Sequence, residues 1–421
     1  MRLPARACGA VLVLLGLVAA SATGAAAADD PIREQGLWYV NQAGLADIHQ
    51  RTTGAGVTVA VIDSPINPGI SDLVGTDLTV HEPSYCAATE GGAALPASTT
   101  DPSAEHGTAM AAILVGTGAG VGGEPGTLGV APGVHLLHYA AVTGIDDGDG
   151  GRTTTCYPPA GVDGSPIRQA VDDGATIISM SITEADMDWS DIAYAHQHGA
   201  IVVAAAPHDG GVGLRAPASG NGVVAVESIG PDGRLAAGNN TDPRLTVTAP
   251  GEYFATTVPD DGWSVYHYTS GSSNATAYTA GALALVWSAY PTATANQLIQ
   301  TLVRNTDGEE HELRHDDAWG YGAVNVRQML EHDPTTYPDE NPLLTDDPDV
   351  RPSLAEIDGA ATAAPTSAAT SDPAAEPAAG GTGGPSTPLL VGGAVALLLV
   401  AGVVVAVLAA RRRAAAPPPA T

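Results

Sequence analysis

The stretch Gly56-Val-Thr-Val-Ala-Val-Ile-Asp63 decides the reading of this chain. It is short, rich in β-branched residues, almost free of polar side chains, and it ends on an acid. A strand with one wet face alternates apolar with polar residues. An unbroken apolar run points instead to burial on both faces, as in a parallel sheet held between helices. The signature returns in Ala175-Thr-Ile-Ile-Ser-Met-Ser-Ile182, Ala200-Ile-Val-Val-Ala-Ala-Ala206 and Gly222-Val-Val-Ala-Val-Glu-Ser-Ile229. Small and apolar residues fall at helical spacing over 106–114, 189–199, 273–289 and 295–304. The second of these closes on Gly199 and the third stops before Pro291. Strands alternating with helices predict an α/β fold with its parallel sheet between helices, and no internal repeat is visible.

Three polar residues stand at the ends of these elements. Asp63 closes the first run, His106 opens a helix as His106-Gly-Thr, and Ser273 opens another within Gly271-Ser-Ser. Taken singly, an acid there often ends a strand, a His-Gly-Thr caps a helix and a Gly-Ser-Ser makes a turn. Together they supply a nucleophile, a base and an acid to orient the base, in the order Asp, His, Ser found in one of the convergent serine-peptidase arrangements.

With those residues in place the chain resembles the subtilases. Val59-Ala-Val-Ile-Asp63-Ser64 resembles their aspartate motif, Glu105-His106-Gly107-Thr108 their histidine motif, and Gly271-Ser-Ser273-Asn-Ala275 their nucleophile motif. Gly129-Val-Ala-Pro132, Leu245-Thr-Val-Thr-Ala-Pro-Gly251 and Trp319-Gly-Tyr-Gly-Ala-Val-Asn325 fit further family segments, so the resemblance covers about residues 36 to 331. It implies a subtilisin-like three-layer fold and a serine endopeptidase that acts on peptides or proteins without cofactor or metal. Asp63, His106 and Ser273 would be its triad.

Four positions depart from the family pattern. Pro65 replaces the glycine after Asp-Ser, and Ala277 stands where the nucleophile motif has proline. Ser181-Ile182-Thr183-Glu184 replaces a Ser-Leu-Gly-Gly that lines the substrate cleft; Ser181, Ile182 and Thr183 are therefore candidate substrate-binding residues with added side chains. Ala205-Ala206-Pro207-His208 replaces Ala-Ala-Gly-Asn, so His208 takes the place of the oxyanion amide. The alternative reading is a degenerate peptidase that serves as a structural subunit of a secretion complex.

The two ends carry different signals. Arg2 and Arg6 precede an apolar run and the small residues Ser21 to Ala28, as in a signal peptide spanning 1–28. Residues 29–338 form the expected peptidase domain, with only a short extension before Asp63. Residues 339–388, rich in Ala, Pro, Thr, Ser and Gly, read as a disordered linker. Residues 389–410 are an uncharged apolar stretch that would span roughly 33 Å as a helix, enough for a bilayer core. Arg411-Arg412-Arg413 opens a short tail, 411–421, and places it on the cytoplasmic side, with the domain outside the cell membrane. This layout resembles that of the mycosins, which implies type VII secretion components of the membrane as partners.

The net charge is −30 and all 16 basic residues are arginine. Such a balance excludes the basic face that nucleic acid requires, so no nucleic-acid partner is expected. Cys86 and Cys156 remain after removal of the signal peptide, an even number that suggests one disulfide outside the cell. Asp146-Asp-Gly-Asp-Gly-Gly151, within an insertion of about residues 143 to 165, lacks the remaining ligands of a calcium loop. His135, His138, His196 and His198 have no ligand spacing and read as structural or solvated. Asn239-Asn-Thr241 and Asn274-Ala-Thr276 match the glycosylation pattern, the second inside the expected nucleophile helix, and both read as chance.

Overall fold

A computed structural model describes residues 31–142, 156–183, 187–259 and 262–359. From edge to edge its main sheet runs Leu78–His81, His135–Ala140, Thr58–Asp63, Ile177–Met180, Ile201–Ala205, Val224–Ile229 and Val247–Pro250. Every pairing is parallel. The four runs read as strands from sequence are four adjacent members of this sheet, each trimmed by two to four residues.

Their unbroken apolarity has the expected cause. Val59, Val61, Val203 and Val226 enter a core shared with the helices Glu105–Val115 and Ser272–Ala289. Ala60, Ile62, Val202 and Ala204 face the other way, onto Pro166–Asp172 and Trp189–Gln197. The fold is therefore a three-layer α/β sandwich. Ser272–Ala289 is apolar nearly all round because it lies inside the protein, with Ala275, Ala277, Ala280, Ala282 and Ala284 fully buried. A Cβ on its Gly281 would stand 2.7 Å from Val130 Cβ, so the chain passes there only because that side chain is missing.

The direction of strand addition reverses at Thr58–Asp63. From this strand the chain goes outward to Leu78–His81, returns through His135–Ala140, and then continues on the other side at Ile177–Met180. Open α/β sheets place their sites beyond the carboxyl ends of strands at such a reversal, and Asp63 is the last residue of that strand.

The disulfide Cys86–Cys156 is formed, with its Cα atoms 4.8 Å apart. The expected linker 339–388 needs correction over its first part. Residues 339–359 form a strap on the domain, with Val350 and Ile357 buried and Leu343 packed against the main core. Asn221 anchors this strap: its Nδ2 donates to the Thr345 and Pro352 carbonyls, its Oδ1 accepts from Thr345 N–H, and its own N–H donates to Arg351. The Ala/Pro/Gly composition of the whole segment concealed the few apolar anchors at its start. The signal peptide 1–28, the apolar stretch 389–410, the tail 411–421, the acidic loop and Glu184 lie outside the described residues. Among the described residues no helix is long and apolar enough to cross a membrane.

Candidate active site

Asp63 is completely buried at its strand end and accepts two hydrogen bonds on Oδ1, from Ser64 N–H at 2.7 Å and from His106 Nδ1 at 2.7 Å. A carboxylate only accepts, so Nδ1 carries the proton and Nε2 presents its lone pair. The His106 side chain is 22% exposed, which leaves that second nitrogen accessible.

The residues after His106 explain its placement. Gly107 N–H donates to Ser64 Oγ at 2.9 Å, and a Cβ on Gly107 would stand 2.5 Å from the Ser64 carbonyl oxygen and 2.7 Å from that of Pro65. Only glycine lets the helix start close enough for His106 to reach Asp63. Thr108 Oγ1 accepts from Asn67 N–H at 2.8 Å, fixing the loop after Asp63 on the same helix turn. Pro65 is accommodated in this loop with its side chain buried.

Ser273 is the second residue of the 18-residue helix Ser272–Ala289. Its N-cap, Gly271, has φ 139°, a backbone conformation that favours glycine, and supplies no side-chain cap. The first N–H groups of the helix therefore have no intrahelical acceptor and point outward at its positive end. Ser273 Oγ donates to the Ser181 carbonyl at 3.2 Å, and Ser181 Oγ donates to the Ser273 carbonyl at 2.9 Å. Val61 pairs with Ser179, and continuing that register by two residues sets Asp63 beside Ser181. The strand end next to Asp63 thus carries the residue that tethers Ser273.

His208 is exposed and lies over the start of the same helix, with Nδ1 3.4 Å from Ser272 Oγ. Ser272 Oγ donates its proton to the Ala206 carbonyl at 2.7 Å, so the ring nitrogen is the donor of that longer contact. A Cβ built on Gly271 would stand 4.0 Å from both His208 Cε1 and Ser273 N. The ring and the Ser273 N–H therefore border one small open space. Near it, burial raises the Glu252 carboxyl above its ordinary pKa, against the pull of the Ser228 hydroxyl and of His208.

The residues expected to line a substrate cleft divide. Ser181 is buried and ties down Ser273, Ile182 is buried in the core beneath the sheet, and Thr183 is exposed. Neither of the first two side chains is open to a ligand. Asn274 is buried and donates to the Gly251 carbonyl, so the second glycosylation match is occupied structurally. The roles of Ser64 and Ser181 as tethers had no sequence signal beyond their position next to Asp63 and after a buried strand. Among the described residues no cluster of His, Cys, Asp and Glu could hold a metal.

Comparison with known proteins agrees with this geometry. Subtilisin DY of Bacillus licheniformis is 31% identical over 289 residues, covering 66% of this chain and 92% of that protein. Subtilisin E of Bacillus subtilis is 30% identical over 292 residues, covering 67% and 68%. The thermostable alkaline protease of Halalkalibacterium halodurans is 29% identical, and the aligned region is 66% of its length. Among solved structures, MycP1 from Mycobacterium smegmatis shares the fold at a TM-score of 0.51 and 22% identity, covering 73% of this chain and 86% of that one. The psychrophilic subtilisin-like protease Apa1 of Pseudoalteromonas sp. AS-11 does so at 0.54 and 14%, covering 70% and 96%. The subtilase family, peptidase S8, matches residues 54–322, a span that contains Asp63, His106, Ser273 and the whole parallel sheet: this chain belongs to the subtilase family.

Proposed function

We propose that this protein is an extracellular, membrane-anchored serine endopeptidase that cleaves peptide bonds through an acyl-enzyme on Ser273. The observation that carries the reading is the 2.7 Å contact between His106 Nδ1 and the fully buried Asp63, which fixes the tautomer a general base needs. Ser273 Oγ leaves the Ser181 carbonyl and bonds to the substrate carbonyl carbon while its proton passes to His106 Nε2. Asp63 stabilises the imidazolium so formed. The new oxyanion meets Ser273 N–H at the helix start. As the C–N bond breaks, His106 returns the proton to the leaving amine. Water then adds to the ester with His106 again as base, and the acid product and Ser273 are released.

The layout read from the chain ends supports anchoring by residues 389–410 and association with type VII secretion components. The likeness of fold to MycP1 is compatible with that association. Labelling of the purified full-length chain by a fluorophosphonate probe tests the peptidase reading. Labelling that disappears in Ser273→Ala is expected; no labelling at any pH overturns it. The second reading, a degenerate peptidase in a structural role, is favoured by one observation, the histidine in place of the oxyanion amide. Loss of one oxyanion donor costs about 10²–10³ in rate. Co-purification of secretion components with Ser273→Ala as well as with the native chain, in the absence of labelling, would support it.

A further inference from the structure

His138 is a buried histidine that the reaction above does not use. It lies on the strand His135–Ala140, paired with Val61 two residues before Asp63, and its side chain is completely buried. Its Nε2 is 2.8 Å from the Ser64 carbonyl oxygen; a carbonyl only accepts, so Nε2 carries the proton and donates. Burial lowers the pKa of the ring below the ordinary histidine range, against the opposing pull of Asp63 and of the Ser64 bond, so the ring is neutral and Nδ1 is bare. Among the described residues Nδ1 has no hydrogen-bond partner. An apolar side chain would fill the same space without burying an unsatisfied nitrogen. The imidazole therefore costs stability at this point, which raises the question of what its one hydrogen bond does.

That bond ends on the residue that joins the two halves of the catalytic pair. Ser64 N–H donates to Asp63 Oδ1, Ser64 Oγ accepts from Gly107 N–H next to His106, and the Ser64 carbonyl receives His138. All three polar groups of Ser64 are engaged, and each aims in a different direction. The packing leaves little freedom: a Cβ on Gly107 would meet the Ser64 carbonyl oxygen at 2.5 Å and His138 Cε1 at 3.0 Å. The Ser64 carbonyl belongs to the peptide shared with Pro65 and the Ser64 N–H to the peptide shared with Asp63; the two planes meet at the Ser64 Cα, so a shift of that Cα would carry the N–H away from Asp63.

We propose that His138 is a positioning residue of the catalytic site, whose Nε2–H anchors the Ser64 backbone by its carbonyl and, through the Ser64 Cα and N–H, sets the angle at which Asp63 meets His106. This rests on the peptidase reading given above. The role is exerted through Ser64, and His138 itself touches neither substrate nor reacting atoms.

The test compares His138→Phe, which fills the space without a donor, with His138→Gln, which carries an N–H at similar reach. His138→Asn, whose amide is too short to reach Ser64, serves as a second variant without this bond should the phenylalanine fail to fold. Expected in the full-length chain is a fall of about tenfold or more in kcat and in fluorophosphonate labelling for the Phe and Asn variants, with KM within about twofold. The acid limb of the rate profile should shift with it, and His138→Gln should recover to within about threefold of the native rate. The proton on His106 Nδ1, followed by NMR in all variants, should change its resonance in Phe and Asn but not in Gln. Phe and Asn variants that lose thermal stability alone, with rate, acid limb and resonance unchanged, overturn the proposal. Should the native chain itself fail to react with the probe, the peptidase reading falls while the His106 resonance still decides whether His138 sets the pair.

Discussion

Ser181 and Ser273 hold each other twice, side chain to carbonyl in both directions, at 2.9 Å and 3.2 Å. The nucleophile therefore rests on the neighbouring strand end and must leave it to attack. Ser181→Ala removes the bond to the Ser273 carbonyl and leaves the nucleophile's own bond intact. A helix carbonyl keeps its helical partner, so the stability loss should be about 1 kcal/mol. The labelling rate should fall about three- to tenfold because the start of the helix is less well fixed. Unfolding midpoints and probe kinetics check both numbers, and an unchanged labelling rate would show the tether to be dispensable.

His208 and the Ser273 N–H border the same open space, and His208 is the residue that the sequence comparison set in place of the oxyanion amide. His208→Asn puts an amide donor at that position. Turnover should rise about tenfold or more with little change in KM, because the added interaction matters only once the oxyanion forms. His208→Ala should lose the ring and gain nothing. The kcat and KM of the three proteins on one peptide substrate separate the cases; equal rates in all three would mean that the side chain at 208 plays no part in the reaction.

The strands Thr58–Asp63, Ile177–Met180, Ile201–Ala205 and Val224–Ile229 were legible because burial on both faces leaves an unbroken apolar run. The placement of Asp63 at a strand end and of His106 and Ser273 at helix starts was legible because Gly107 marks where a Cβ would strike the Ser64 and Pro65 carbonyls and Gly271 holds a positive φ that favours glycine. The edge strand Leu78–His81, only four residues long and partly exposed, offers no such run. Ser64, Ser181 and His138 are held by hydrogen bonds fixed by tertiary packing, and serine and histidine occur in many other settings. Ser181 and Ile182 were expected to face a substrate. Their burial follows from the sheet continuing its inward packing past Met180, which a motif comparison does not encode.

Glu227 is fully buried on the strand Val224–Ile229, and burial raises its carboxyl pKa from 4.5 to about 8. Below pH 4.5 the carboxyl is protonated in both folded and unfolded chains and costs nothing. Between there and pH 8 the unfolded chain ionises while the folded one keeps its proton, so folding stability falls as pH rises. At pH 7 the loss from this group is at most roughly 3 kcal/mol. Glu227→Gln retains an acceptor for Asn240 N–H, now 2.7 Å from Oε1, and cannot ionise. Its unfolding free energy should exceed that of the native chain at pH 8 and approach it near pH 4.5. Denaturant titrations at both values test this, and a difference that does not vary with pH would place the effect elsewhere.

Asn221 uses both Nδ2 donors and its Oδ1 to hold residues 345 and 352, and His196 Nε2 adds a bond to its carbonyl. An alanine there leaves the Thr345 N–H and two strap carbonyls without these partners, at a cost of roughly 3 kcal/mol. That cost falls on the strap more than on the domain, because every buried member of the two cores lies outside residues 339–359 and only Leu343 packs against one of them from its edge. In a Ser273→Ala background, which prevents self-cleavage, Asn221→Ala should become sensitive to thermolysin at Leu343 and Leu344 while the rest of the domain resists. The asymmetry is the informative part. Simultaneous loss of protection across strap and sheet would mean that the strap is an integral part of the fold, and the boundary of the folded domain would then belong at 359 in energetic as well as geometric terms.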